Sequence, residues 1–311
     1  MEKINDNWID REIDGKYFKI NTVTGETREG HERILYDGDL VITPEMQDAR
    51  RKYMEMQAEQ QKRKSRRRDI SKKNGEHYFV PRLHSFPDLK PQTAARLIYL
   101  FTYADYSERD SYLKLTQKKE IRRKDLPRVL GLSEDAVKEF MDEVCPSYLI
   151  VDEKGNIAAT NLAFKRGSLK DGRTYHRFYD CWVRHLYKSV PSRRHRYLGY
   201  IFQLLPHISI EYNVLCYNPA EEDSTKIEFM CLGEFCDKIA YDKSHADRLL
   251  TIYKQIRFPV SDENGMHMER FVSVTYDGLN RHNAKVYVNP RILYSGTHPE
   301  HVELLGAFSK D

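Results

Sequence analysis

Two stretches of the chain, more than a hundred residues apart, end in the same way. GNIAATNLAFKRG, residues 155–167, reads as a turn, a strand stopping at Asn161, an apolar turn with a basic residue, and a glycine. RHNAKVYVNPRILYSG, residues 281–296, reads as a strand stopping at Asn289-Pro290, one helical turn, and Gly296. The segments before each ending follow one order. In the first, KPQTAARLIYLFTYADY sets Ala94, Leu97, Ile98 and Phe101 at helical spacing, and YLKLT is a short strand. RRKDLPRVLGL is a short helix broken at Gly131, and SEDAVKEFMDEV a second helix capped by Ser133. That helix gathers Ala136, Val137, Phe140, Met141 and Val144 on one face, and a hairpin turning at Lys154-Gly155-Asn156 follows. In the second, VPSRRHRYLGYIFQLLPH sets Leu198, Ile201, Phe202 and Leu205 at the same spacing. EYNVLCYN and KIEFM are strand candidates, CLGEFCDKIAY and DKSHADRLLTIYKQI are helices, and a hairpin turns at Asp277-Gly278-Leu279-Asn280. Repetition over this length indicates a duplicated domain rather than a solenoid.

Helix, strand, helix, tight turn, helix, hairpin is the order of a winged helix. Its turn needs a glycine that lets the chain reverse and a residue that caps the next helix at once, which GLS supplies. The expected fold class is therefore α+β: two tandem winged-helix domains preceded by a small hairpin and a basic helical arm. The boundaries read as a hairpin segment over 1–43, with its Thr-Gly turn in KYFKINTVTGETREG, and a basic helix and linker over 44–85. Winged-helix domain 1 follows over 86–171, domain 2 over 172–297, and a tail over 298–311. Thr43 and Pro44 suit the cap and first residue of the arm, and a linker is expected near residues 69–85.

Charge is distributed unevenly. The net charge is +4, but residues 1–48 carry six Lys/Arg against twelve Asp/Glu, while residues 50–73 carry eleven against three. The second stretch could serve a polyanion, and its Lys62, Arg63, Lys64, Arg66, Arg67 and Arg68 are candidate phosphate contacts. A solvated helix or linker is the plain alternative. At 32% charged and 40% hydrophobic, the 311 residues suit two domains with large solvated surfaces rather than one deep core. No apolar run reaches the length of a membrane span, and MEKINDNWIDREIDGKYF has no apolar stretch of a signal peptide. Cys145, Cys181, Cys216, Cys231 and Cys236 are an odd, scattered set, which argues for free thiols in a reducing, cytoplasmic compartment. Cys231 and Cys236 read as core residues rather than metal ligands, since no second ligand pair lies near them. No metal or other cofactor is expected.

A helix-turn-helix presents the outer face of its second helix to the major groove. In the second copy, Ala246, Leu249, Leu250, Tyr253 and Ile256 share one face. Ser244, Asp247, Arg248, Thr251 and Gln255 lie opposite, with Lys243, His245 and Lys254 at the borders. Arg suits guanine, Gln suits adenine, and Ser or Thr suits phosphate or base edges. Arg281, His282 and Lys285 would make a basic wing. In the first copy the matching helix holds Glu134, Asp135, Glu139, Asp142 and Glu143 against Lys138 alone, which phosphates would repel. Its basic edge lies upstream, at Lys118, Lys119, Arg122, Arg123 and Lys124. That edge is expected to touch the DNA backbone, or the copy to pack against another subunit, so a homodimer is a further candidate assembly.

Two such units behind a charged arm, and KVYVNPRILYSG in particular, resemble the winged-helix replication initiators of Gram-positive bacterial plasmids and phages. The resemblance spans about residues 90–296 in architecture and about a dozen residues in motif. It implies sequence-specific binding of double-stranded DNA at repeated origin sites and recruitment of host replication proteins. By position, the reading helix would be residues 244–256 and the wing 275–285; the acidic helix of the first copy departs from a two-reader initiator. A transcriptional regulator of a mobile element fits the same residues. Nothing points to an enzyme: there is no G-x-x-x-x-G-K-[ST] loop and no His-x-His pair. HPEH (His298, His301) has the wrong spacing, in an expected terminal loop. His245 and Arg248 with Tyr287 or Tyr294 is a faint strand-transfer pattern, which would need an exposed nucleophile.

Overall fold

The computed structural model describes residues 8–13, 16–29, 44–106, 111–167, 169, 174–262, 265–276, 284–306 and 308–309. The chain is α+β with small two- and three-stranded sheets, and residues 1–61 and 62–311 form two compact units. In the first unit, β1 (Trp8–Ile13), β2 (Lys16–Asn21) and β3 (Thr27–Glu29) form an antiparallel meander. The β2–β3 turn is built by Asn21, whose Oδ1 accepts from the N–H groups of Val23 and Thr24, and by Gly25 at φ 71°. β1 adds a strand to the expected hairpin. The proposed cap Thr43 lies outside the described residues.

Helix α1 (Pro44–Asn74) is polar and exposed through its first half. In its last three turns Arg63, Arg67, Ile70 and Asn74 face inward at helical spacing, and Ile70 and Asn74 are buried. The expected linker at 69–85 is therefore absent: α1 runs to Asn74, and β4 (His77–Pro81) follows with Tyr78, Phe79 and Val80 buried. The run HYFVP is apolar enough to need a covered sheet, which a linker cannot provide.

Residues 91–159 keep the order expected of the first segment. Helix α2 (Pro91–Phe101) leads to β5 (Ser111–Tyr112), β6 (Lys114–Thr116) and β7 (Lys119–Glu120). A 3-10 turn opens α3 (Leu126–Leu130), which Gly131 closes at φ 64°. The Ser133 Oγ accepts from Ala136 N at 3.3 Å to start α4 (Glu134–Val144), whose Val137, Phe140, Met141 and Val144 are buried. β8 (Leu149–Val151) and β9 (Ile157–Ala159) close it as a hairpin, and β5 pairs with β9.

Two elements missing from the sequence reading precede the second copy: β10 (Tyr175–Tyr179) and α5 (Asp180–Ser189). Then come α6 (His195–Phe202), α7 (Leu232–Lys238) and α8 (Ala246–Gln255). An unforeseen hairpin, β11 (Arg257–Asp262) with β12 (Gly265–Arg270), stands between α8 and the hairpin of β13 (Val272–Tyr276) and β14 (Ala284–Val288). EYNVLCYN and KIEFM shrink to single bridges, Val214 with Tyr287, Ile208 with Leu215 and Cys216 with Phe229, because successive residues pair in different directions. β15 (Leu293–Tyr294) and α9 (Pro299–Gly306) complete the chain. The segment over 298–311 is not the expected tail: Val302 and Phe308 are buried, and Phe308 O accepts from Arg270 N at 3.0 Å.

Buried residues of 91–159 and 195–288 belong to one core. β4 and β15 flank β10 in one antiparallel sheet, joining residues 77–81, 175–179 and 293–294. Helices α2 and α6 approach so closely that a Cβ on Gly199 would sit 1.7 Å from the Pro91 carbonyl oxygen. Tyr99 stacks on Tyr187 with ring centroids 3.9 Å apart. At the repeated ending, Asn289 donates to Glu269 Oε2 and Arg270 O and accepts from Arg291 N, while Ile292 and Leu293 are fully buried. The echo at Asn161 is looser: Asn161 is exposed, Ala163 and Phe164 are buried, and Lys165 bridges to Phe79.

Buried ionisable groups set a pH dependence. Burial pushes His176, His195 and His77 down to about 4, and pushes Asp180 up to about 6 against the opposing Arg166 guanidinium 2.7 Å away. The unfolded imidazoles take up protons first, near 6.5, so stability falls as pH drops from there towards 4. Asp180 acts oppositely, because its folded form holds a proton more tightly than its unfolded form. Urea unfolding is thus expected to show a midpoint that falls over this window, with net uptake of protons. A flat midpoint would contradict it.

Candidate nucleic-acid interface

Helix α8 is preceded by a 3-10 turn at Lys243–His245. Ser244 does not cap α8: His245 stands at the cap position without a side-chain hydrogen bond, and Asp242 caps the preceding turn, its Oδ1 accepting from Ser244 N at 2.9 Å. Asp242 stands immediately before the turn, so its carboxylate reaches the first free N–H groups, while Ser244 lies inside the turn. Leu249, Leu250 and Tyr253 are buried, and Tyr253 donates through its hydroxyl to Tyr197 O at 3.0 Å, fixing α8 against α6. Asp247, Arg248, Thr251, Lys254 and Gln255 are exposed.

That docking brings in residues the sequence reading missed. Arg193, Arg194, Arg196 and Tyr197, at the entry to α6, line a shallow groove together with Arg248, Thr251, Ile252 and Gln255 from α8. Four guanidinium groups thus border one groove with no carboxylate in its lining. Arg194 Nη1 donates to Gln255 Oε1 at 3.1 Å, which leaves the Gln255 amide N–H groups as donors. A Gln255 held in this way can donate to a phosphate or a purine acceptor; bidentate pairing with adenine requires Arg194 to let go. Arg196 lies over the Tyr197 ring, 4.9 Å from its centroid, and donates to its hydroxyl at 2.9 Å, which raises the Arg196 pKa. Thr251 Oγ1 donates to Asp247 O, one turn back. Three of the four arginines stand in the run SRRHR, legible as a basic cluster at the head of an apolar-periodic helix but not as a neighbour of α8.

The other expected contacts are dispersed. Lys243 pairs with Asp237 at 2.7 Å, an exposed pair that raises the Lys243 pKa, and His245 Nδ1 lies 3.4 Å from Asp242 Oδ2. Lys285, half-buried on β14, sits over the Phe229 ring, 4.2 Å from its centroid. Arg281 and His282 lie outside the described residues. On α1, Lys62, Lys64 and Arg68 are exposed, Arg63 grips Glu222 through two hydrogen bonds of 2.8 and 2.9 Å, and Arg66 donates to His298 Nε2 at 2.7 Å. Arg67 is half-buried. In the first copy Lys118, Lys119, Arg122, Arg123 and Lys124 are all exposed, and Arg122 Nε donates to Asn156 Oδ1 at 3.1 Å.

The tyrosines of the strand-transfer pattern are inward. Tyr287 is 5% exposed and Tyr294 0%; the Tyr294 hydroxyl donates to Glu211 O and accepts from His298 N, and burial raises both pKa values. His298, Glu300 and His301 bring one ligand atom each within 4.8 Å of one another, the one such grouping among the described residues. His298 is half-buried and His301 exposed at the head of α9, and the Arg66 guanidinium already faces His298 Nε2. The five cysteines are free thiols. No helix among the described residues is long and apolar enough to cross a membrane. No protein-family model matches the chain, and no curated protein or solved structure matches it either.

Proposed function

We propose that the chain binds double-stranded DNA in a sequence-specific manner, as a replication initiator acting at the origin of a plasmid or phage. The helical segments of residues 91–159 and 195–288, each closed by a hairpin, are read as winged helices, with α8 as the reading helix. The observation that carries this is the groove of Arg193, Arg194, Arg196 and Arg248 beside Thr251 and Gln255, cationic and free of carboxylates in its lining. Guanidinium groups so placed can neutralise phosphates while Arg248 and Gln255 meet base edges. The acidic α4 suits a different task, and the exposed Lys118–Lys124 edge of the first copy suits backbone phosphate. Host replication proteins and a second copy of the chain are the partners this function would take.

Selection of bound duplexes from a random pool, followed by an origin-dependent plasmid-maintenance assay, tests the reading. Recovery of a defined sequence is expected, and so is maintenance of a plasmid whose origin carries it. Binding without maintenance would turn the reading into a transcriptional regulator. A strand-transfer enzyme is less well supported, because Tyr287 and Tyr294 are both buried. Tyr287→Phe and Tyr294→Phe are expected to leave DNA affinity and plasmid maintenance unchanged within about twofold, since each removes a hydroxyl and keeps the packed ring. Loss of maintenance with intact folding would favour strand transfer.

A further inference from the structure

A second arginine cluster lies away from the α8 groove. Arg67 from α1, Arg82 just after β4, and Arg177 from β10 line one cavity of about 160 Å³, walled by the rings of Phe79, Tyr175 and Tyr294. Arg82 and Arg177 are 8% and 9% exposed, and the Nε atoms of all three arginines lack a hydrogen-bond partner. The Arg177 guanidinium lies 5.9 Å from the Phe79 ring centroid, and its Nη1 donates to the Tyr179 hydroxyl at 3.4 Å. Burial lowers the Arg67 pKa, and the neighbouring Arg177 lowers it further. The nearby carboxylates are already engaged. Glu211, which faces Arg67, accepts from the Thr297 N–H and hydroxyl. Glu222, in a groove on the other side of Arg82, is held by Arg63. Arg67 has the Glu211 carboxylate near it, but Arg82 and Arg177 are buried without an ion pair among the described residues, which is costly, and a fold that gathers all three guanidinium groups around one cavity is arranged for an anion.

We infer that this cavity binds a terminal phosphate: a phosphate monoester whose oxygens are taken by Arg67, Arg82 and Arg177. Planar guanidinium groups match phosphate oxygens two at a time. Small-molecule pockets usually measure ~300–1,000 Å³, whereas this one has room for about five groups of water size at ~30 Å³ each. That accommodates a phosphate and its first linking atom. The monoester can come from a free nucleotide or from a 5′-phosphorylated nucleic-acid end.

The site is separate from the α8 groove, so the two can fail independently. Calorimetric titration of the full chain with inorganic phosphate, at constant ionic strength in chloride, is expected to show saturable one-site binding. Arg67→Gln, on a half-exposed helix position, is expected to weaken it at least tenfold without loss of folding. Arg82→Gln should do the same, and Arg248→Ala should leave it unchanged. Stronger binding of a nucleoside 5′-monophosphate than of phosphate would assign the free nucleotide. A tenfold preference for a 5′-phosphorylated over an unphosphorylated single-stranded oligonucleotide would assign the nucleic-acid end. Phosphate binding no stronger than that of chloride, or unchanged in Arg67→Gln, would overturn the inference whatever the outcome for duplex DNA.

Discussion

Replacing Arg194 and Arg248 together by alanine is expected to lower affinity for the selected duplex about 100-fold while the protein stays folded. Both side chains border the same groove and neither belongs to the buried core: Arg248 is exposed, and Arg194 is half-buried and donates to the exposed Gln255 of α8. The two losses should differ in kind. A guanidinium that meets phosphate weakens binding to every sequence and lowers the salt slope by about 0.9. One that meets a guanine edge removes ~1–3 kcal/mol of discrimination at one position. Fluorescence anisotropy on specific and scrambled duplexes, over a salt series, separates them. Arg194→Ala is expected to act on both duplexes and Arg248→Ala mainly on the specific one. Unchanged affinity and slope in the double variant would remove α8 as the DNA-contacting helix and leave a protein-docking role for this face.

Gly199→Ala is expected to destabilise the protein by about 3 kcal/mol or more. In an open helix the same change would stabilise by roughly 0.5–1 kcal/mol, because alanine loses less backbone entropy. Here the added methyl would meet the Pro91 carbonyl at 1.7 Å, a backbone atom that cannot swing aside. Helices α2 and α6 would have to separate, opening the core between them. Urea unfolding followed by circular dichroism measures the effect. A variant as stable as the parent would show that the two helices do not pack this closely.

Much of the helical framework was legible because each helix buries one face. The spacing of Leu249, Leu250 and Tyr253, or of Val137, Phe140 and Met141, carries its own period, and Gly131 and Ser133 mark a stop and a start. What stayed hidden depends on long-range pairing. In YHRFY, His176 and Arg177 are buried beside Phe178 and Tyr179, so polar and apolar residues do not alternate and the strand has no period to read. HYFVP was a short apolar run whose partner lay almost a hundred residues away. Helix α5 did have a readable face in Trp182, Val183, Leu186 and Tyr187, but it fell where a domain boundary was expected. The α8 groove was half legible. Arg248, Thr251 and Gln255 followed from the outer face of one helix, whereas Arg193, Arg194 and Arg196 join them only because Tyr253 is bonded to Tyr197. The basic run of α1 misled by its uniformity: nothing in its sequence separates Arg63 and Arg67, which turn inward, from Lys64 and Arg68, which do not.

The sheet of β4, β10 and β15 also bears on how the chain comes off the ribosome. Its middle strand, residues 175–179, can take β4 as soon as it emerges, but its other edge stays bare until residues 293–294 are made. At ~5–20 residues per second, that is a delay of roughly 6–24 s with an unpaired strand edge and an open aromatic core. A nascent chain of this design has reason to meet a chaperone before its fold is complete. A chain released before residue 293 would lack the strand that closes the sheet, so premature termination would yield an aggregation-prone product rather than a working half.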